Sequence, residues 1–288
     1  MKLHNCKYVL ATGTTGRYAG CDLLAHPEVN ELYCLWNCGF YSCESQVFSS
    51  LLTLMKHGII PERIDYSLGF RHYKKNCLEK DIYPDFHQID ESQNIDLYLH
   101  DVPLPEANVA SSYSIECDSY NQIINRFFNP SESVSTKKET LEKKYNIDYS
   151  KTIAVLYRGT DKHTEVTLAG AEEYLEVTKN ILKDNPDFKV LIQTDQTQVA
   201  EYFSEQLGDK IIFFEELPLT KSSEALIYIL ERMGADSITW SQWVDAAFRC
   251  VSQCKYVVNH TGNGGLFVRL YRGNNKGIYQ FDENGRLI

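Results

Sequence analysis

From Thr152 onward, short, mainly apolar runs alternate with stretches whose apolar residues recur every third or fourth position. The runs are Thr152 to Tyr157, Lys189 to Gln193, Ile211 to Phe214, Lys255 to Asn259 and Gly277 to Gln280. The helical spacing covers Ala171 to Lys183, Gln196 to Leu207, Ser223 to Met233, Ser241 to Gln253 and Leu266 to Tyr271. A run apolar at every position suits a strand covered on both faces. Its alternation with helices predicts an α/β fold with a parallel, doubly wound sheet.

The first half is less regular. Lys7 to Thr12 and Glu31 to Leu35 read as strands, with a helix from about Cys43 to His57. GTTGRYAG, after the first strand, lacks the Lys-Ser/Thr of a P-loop and reads as a turn. The polar stretch Asn76 to Ser114 holds one strand, Ile95 to His100. Cys117 to Phe128 has helical spacing, which Asn129-Pro130 stops. SESVSTKKETLEKKYNIDYS reads as a linker leading into a charged helix, so the expected domains are 1–145 and 146–288.

Composition narrows the function. With 43% hydrophobic residues, 24% charged, and 19 Tyr and 13 Phe, the chain is that of a folded globular protein. A net charge of -10 gives no overall attraction to nucleic acid, so an anionic ligand needs a local positive site. No segment approaches the ~20 apolar residues of a membrane span. The apolar patch near the amino terminus is too short for a signal peptide, and the expectation is a soluble cytoplasmic protein. Nine cysteines, an odd number, argue for reduced thiols, and their spacing does not suit zinc.

Three strand ends carry chemistry at one edge of the inferred sheet. IAVLYRGTDKHTE ends in Arg158, Gly159, Thr160, Asp161, Lys162, His163 and Glu165; LIQTDQ ends in Asp195; VVNHTGNGGLF holds Asn259, His260, Thr261, Gly262, Asn263, Gly264 and Gly265. Ligands of open α/β sheets bind beyond the carboxyl ends of the strands. Arg158 offers a planar fork that matches phosphate, and the glycine turn offers helix amino-terminal N–H groups. Asp195 could cap a helix or accept from a nucleobase edge. Glu165 is the candidate general base. In the first half, Trp36, Phe40 and Tyr41, and then Arg71, His72 and Lys74, combine aromatic rings with cations, which suits a sugar or anionic ligand. The alternative for each is ordinary packing or a charged surface loop.

YRGTDKHTE resembles the R-R-T-D-K-x-x-T-E signature of α-1,6-fucosyltransferases and the R-R-x-D motifs of other GDP-fucose-dependent transferases, and LIQTDQ is similar to their strand ending in T-D. WNCGFYSCESQ, RHYKK and the LYRGN ending at Asn274 also resemble glycosyltransferase-like proteins of large viruses and some microbes. The resemblance implies a GT-B-like fold of two Rossmann-like domains, with the nucleotide in the C-terminal one. It implies Arg158 on the pyrophosphate, Asp195 on the nucleobase, Thr261 to Gly265 on the phosphates and Glu165 as base, one residue being deleted between Lys162 and Thr164. Gly159, Thr160, Asp161, Lys162 and His260 complete the donor set; Trp36, Phe40, Tyr41, Arg71, His72 and Lys74 would face a carbohydrate acceptor. The chain departs from the pattern at Gly159, where the family has its second arginine, at Leu156, where it has a histidine, and at the glycines that replace a serine pair. No Asp-x-Asp occurs, consistent with a metal-independent, inverting transfer from a nucleoside-diphosphate sugar without a cofactor. Fucose from GDP-fucose leads. UDP- or GDP-linked xylose, a non-catalytic nucleotide- or glycan-binding module and a phosphate-handling enzyme are the alternatives.

Overall fold

The structure is a computed structural model that describes residues 7–12, 21–26, 31–56, 60–74, 77–95 and 116–288. In chain order its elements begin with strands β1 (Lys7–Thr12), β2 (Cys21–His26) and β3 (Glu31–Tyr33), helix α1 (Phe40–Lys56) and β4 (Arg63–Asp65). The short α2 (Tyr83–Phe86) and β5 (His87–Gln88) follow, then α3 (Asn121–Phe127), β6 (Asn129–Pro130) and α4 (Glu132–Tyr145). The second half runs β7 (Thr152–Tyr157), α5 (Ala171–Asp184), β8 (Lys189–Thr194), α6 (Thr197–Leu207), β9 (Ile211–Phe213) and α7 (Leu226–Met233). It ends with α8 (Ser237–Gln253), β10 (Tyr256–His260), α9 (Asn263–Arg272) and β11 (Ile278–Phe281).

The second half is the expected doubly wound sheet. Its order is β11-β10-β7-β8-β9, with every pair parallel. Alternate side chains explain the unbroken apolar runs. Ile153, Val155 and Tyr157 of β7 pack with α5 and α6 on one face, while Ala154 and Leu156 enter the core beneath α8 and α9 on the other. In the first half the described strands form two-stranded pieces, β1-β2 and β5-β6 antiparallel and β3-β4 parallel. A second Rossmann-like sheet is not among the described residues. The turn expected at GTTGRYAG and all of the expected strand Ile95 to His100 except its first residue lie outside them too.

The segment read as a linker is helical from Glu132. Ser131 caps α4 by accepting from the Val134 N–H, and Val134 and Leu141 are its buried residues. The expected division at 145/146 falls where α4 ends, with Asn146 left-handed at φ 46°. One apolar core crosses that point: Phe48 and Leu51 of α1 share a cluster with Leu141, Phe248 of α8 and Phe267 of α9. Tyr41 stacks on Phe248 with ring centroids 4.5 Å apart.

Through this core runs a chain of buried polar groups. Tyr66 donates to Glu44 Oε2 at 2.8 Å, and Glu44 Oε1 lies 3.0 Å from His87 Nε2. Arg249 donates to Asp245 at 2.9 Å and to the Phe128 carbonyl at 2.8 Å, while Tyr41 and Tyr271 both donate to Asp245 Oδ1. These bonds join α1, β5, α8 and α9. Among the described residues no helix is long and apolar enough to cross a membrane.

Candidate active site

The loop after β7 is built by its neighbour strand. Asp195, just past β8, accepts from the Gly159 N–H at 3.1 Å and from the Thr160 hydroxyl at 2.6 Å. Burial pushes its carboxyl above the usual range, and those donors and Arg158 pull it back in part. Asp195 therefore does not cap α6: Gln196 holds the cap position. Each of the Asp195 oxygens thus accepts one bond from the loop that carries Arg158, which makes the residue a strut for that loop. Thr160 is fully buried and its hydroxyl is spent inward.

Arg158 stays available. Its Nη2 meets both oxygens of Asp161 at 2.8 and 2.9 Å, and Asp195 is 4.0 Å from Nε. The side chain is 47% accessible, so it is an accessible cation at the strand ends, held by a carboxylate on one side. Burial opposes its charge, and Asp161 and Asp195 more than offset that. Asp161 is likewise pushed up by burial and pulled below the usual carboxylate range by Arg158.

A single turn at Lys162–Thr164 sets Lys162 and Glu165 side by side, so that the ammonium bonds the carboxylate. Lys162 is nearly buried, whereas Glu165 has a side chain 54% accessible. The same ammonium reaches Gly262: a Cβ there would lie 3.7 Å from Nζ and 3.6 Å from His260 Nε2.

Gly262 is the cap residue of α9 and offers no side chain to its first turn. The leading N–H groups of that helix thus have no intrahelical partner, and the positive end of its dipole adds to Lys162. Two glycines here serve packing. A Cβ on Gly265 would sit 2.5 Å from the His260 carbonyl, and one on Gly264 would sit 2.8 Å from Phe248. Ser45 of α1 donates to Asn263 Oδ1 at 2.7 Å, tying the loop to the first half. Thr261 is buried, with its N–H and hydroxyl both bonded to Phe281, and so anchors the edge strand rather than facing a phosphate.

Behind the turn, Asn259 is fully buried. Neither of its side-chain polar atoms nor His260 Nδ1 has a protein partner. Burial, then Lys162 and Arg158, push the His260 imidazole down to about 3, so it is neutral at physiological pH.

The first half sits over these strand ends. Arg158 acts electrostatically on Tyr73, and Glu165 acts on Cys38. His72 lies 3.6 Å from Glu231, and its ring meets Tyr228 of α7 edge-on. The segments around Trp36 and Arg71 are laced together: the Phe70 N–H donates to the Trp36 carbonyl and the Arg71 N–H to Asn37. Gly69 is required there, since a Cβ would meet the Cys34 and Trp36 carbonyls at 2.6 and 2.8 Å. Phe70 itself is left-handed at φ 57°, a conformation that costs a bulky residue about 1–2 kcal/mol. Its fully buried ring, stacked on Tyr66 at 4.1 Å, holds it there.

Trp36 and His72 are partly accessible and Arg71 is exposed. Three other expected acceptor contacts are corrected. Phe40 and Tyr41 are buried in the aromatic core, with Tyr41 bonded to Asp245. Lys74 is fully buried, and its ammonium donates to the carbonyls of Tyr66, Ser67 and Leu78, which leaves nothing for a ligand. Among the described residues no three His, Cys, Asp or Glu side chains are grouped to hold a metal.

The fold belongs to a known class. The structure of NodZ α-1,6-fucosyltransferase soaked with GDP-fucose matches this one with a TM-score of 0.55 at 12% identity, over 91% of this chain and 98% of that one. The same enzyme co-crystallised with GDP gives 0.55 at 13% identity over the same shares, and fucosyltransferase NodZ from Bradyrhizobium gives 0.54 at 12%. The chain therefore has a fucosyltransferase-like, GT-B-like α/β fold. No family model matches it, and no curated protein sequence is significantly similar to it.

Proposed function

We propose that this chain is a glycosyltransferase that moves a sugar, fucose first, from a GDP-linked donor to a hydroxyl of a glycan acceptor, with inversion and without a metal. The observation that carries this reading is the convergence of Arg158, Lys162 and the uncapped α9 terminus at the strand ends of a fold shared with NodZ. The two cations and the N–H groups would receive the diphosphate, stabilising the charge that builds on it as the glycosidic C–O bond breaks. The bond's electron pair leaves with the diphosphate. The acceptor oxygen forms the new bond at the anomeric carbon from the opposite face, and its proton passes to Glu165. Glu165 is held by Lys162; a diphosphate at α9 would compete for that ammonium and release the carboxylate as a base.

The same ion pair favours a second reading, a nucleotide- or glycan-binding module without turnover, in which Lys162 and Glu165 stay paired. The first test is a thermal-shift screen of GDP, UDP, ADP and TDP, because a ligand that binds only the native state raises its stability. GDP is expected to give the largest shift. A larger UDP shift would move the donor to the UDP-linked alternative, and no shift with any of the four would overturn the donor site.

A further inference from the structure

Gln196 has no part in the site described so far. It follows Asp195 and occupies the cap position of α6, yet its side chain makes no capping hydrogen bond. Its main chain is fixed: the N–H donates to Thr194 Oγ1 at 3.1 Å, and the residue bridges in parallel to Thr220. The side chain is half-buried, and its amide has no hydrogen-bond partner among the described residues. It lies against the Gly159 α-carbon, since a Cβ there would fall 2.3 Å from Gln196 Oε1 and 2.8 Å from Cδ, with the Tyr157 ring edge at 2.6 Å on its other side.

Any side chain at 159 would displace this amide. That supplies a physical reason for glycine at the position where the resembling motif carries its second arginine: the space beside Arg158 is filled from β8 instead of from β7. We propose that Gln196 reads a pair of hydroxyls on the donor, and that Gly159 is small in order to seat it. An amide donates and accepts at once, so it meets a vicinal diol with one bond in each direction. Asp195 offers no donor for such a pair, and each of its oxygens already accepts one bond from the loop, from Gly159 and from Thr160. Ribose and the transferred sugar both carry such hydroxyls.

This inference rests on the donor reading above. The test is calorimetric titration of GDP and of GDP-fucose into the full chain and into Gln196→Ala, Gly159→Ala, the double variant and Arg158→Ala, with melting curves to check folding. If the hydroxyls are those of ribose, Gln196→Ala weakens both ligands alike, by about five- to tenfold, the weight of one or two neutral hydrogen bonds. If they belong to the sugar, only GDP-fucose weakens. In either case Gly159→Ala, whose Cβ also presses on the Tyr157 ring, shows at least the same loss, and the double variant loses no more than Gly159→Ala alone. Undiminished binding of both ligands by Gln196→Ala, with Arg158→Ala impaired, overturns the role of Gln196 alone. A wild-type chain that binds neither ligand overturns the donor site and this inference with it.

Discussion

Among the described residues, the charges of the core and those at the strand ends are built to opposite rules. In the core, Glu44, His87, Asp245 and Arg249 are buried, each with a partner of matching chemistry. In the cleft, Arg158 is half accessible, Lys162 touches both Glu165 and the Gly262 turn, and α9 starts without a cap. A buried cluster with its charges answered serves the fold, because any unpaired charge there carries its full desolvation penalty. A cluster that keeps an accessible cation beside an uncapped helix end can take a ligand. Residue type alone does not separate the two; the accounting of partners does.

The comparison breaks most visibly at Arg249. Arg249→Leu leaves Asp245 a buried carboxylate with only two tyrosine hydroxyls, and unfolding by urea should show a loss of about 3–5 kcal/mol. Nucleotide affinity of the folded fraction should not change. A loss below about 1 kcal/mol would mean the core cluster is not what holds the two halves together.

Glu165→Gln is the matching cut in the cleft. Transfer to a glycan acceptor should fall about a hundredfold or more, roughly 2.7 kcal/mol, with melting temperature nearly intact and GDP affinity retained or raised, because the diphosphate no longer competes with a carboxylate for Lys162. Unchanged turnover would remove Glu165 as the base. Arg158→Ala should cost about 2 kcal/mol of nucleoside-diphosphate binding by calorimetry, with little effect on stability. Undisturbed binding would put the pyrophosphate elsewhere.

The smallest effect is a pH dependence. His260 titrates near 3 in the folded chain and near its ordinary value when unfolded, so the unfolded chain binds more protons between those limits. Stability should then fall as pH drops through that window, by about 1 kcal/mol between pH 7 and pH 5.5. His260→Asn should flatten that slope in urea unfolding, and a slope of the same size in the variant would assign it to other groups.

The sheet of the second half was legible because β7, β8 and β10 are covered on both faces, which leaves apolar centres with no competing period. Boundaries moved by only a few residues, as where α8 begins at Ser237 rather than Ser241. The first half was harder to read for a stated cause: β3 and β4 are three residues long and β5 and β6 two, too short to show alternation. The α4 segment looked like a linker because only Val134 and Leu141 of it are buried. Arg158, Lys162 and Glu165 stood out as charge at the end of an apolar strand. Phe40, Tyr41 and Lys74 were misjudged because an aromatic or a cation near others is recognisable in sequence, whereas its burial is decided by distant partners such as Asp245 or the Leu78 carbonyl. Gln196 gave no signal of its own. The one pointer was the missing arginine at Gly159, which reads as a loss until the neighbouring strand is in view.

The hydroxyl of Ser45 on Asn263, with the stack of Tyr41 on Phe248, has a kinetic corollary. The helix that would hold the phosphates is fastened to the half that would hold the acceptor, within one continuous core. If those ties hold through turnover, the site is cast when the chain folds and is not assembled around each substrate. The ordering cost that a hinged enzyme meets on closing falls here on folding, so donor affinity should be indifferent to the presence of acceptor. Departure of the spent nucleotide would then be timed by the contacts of Arg158 and Lys162 rather than by the swing of a domain.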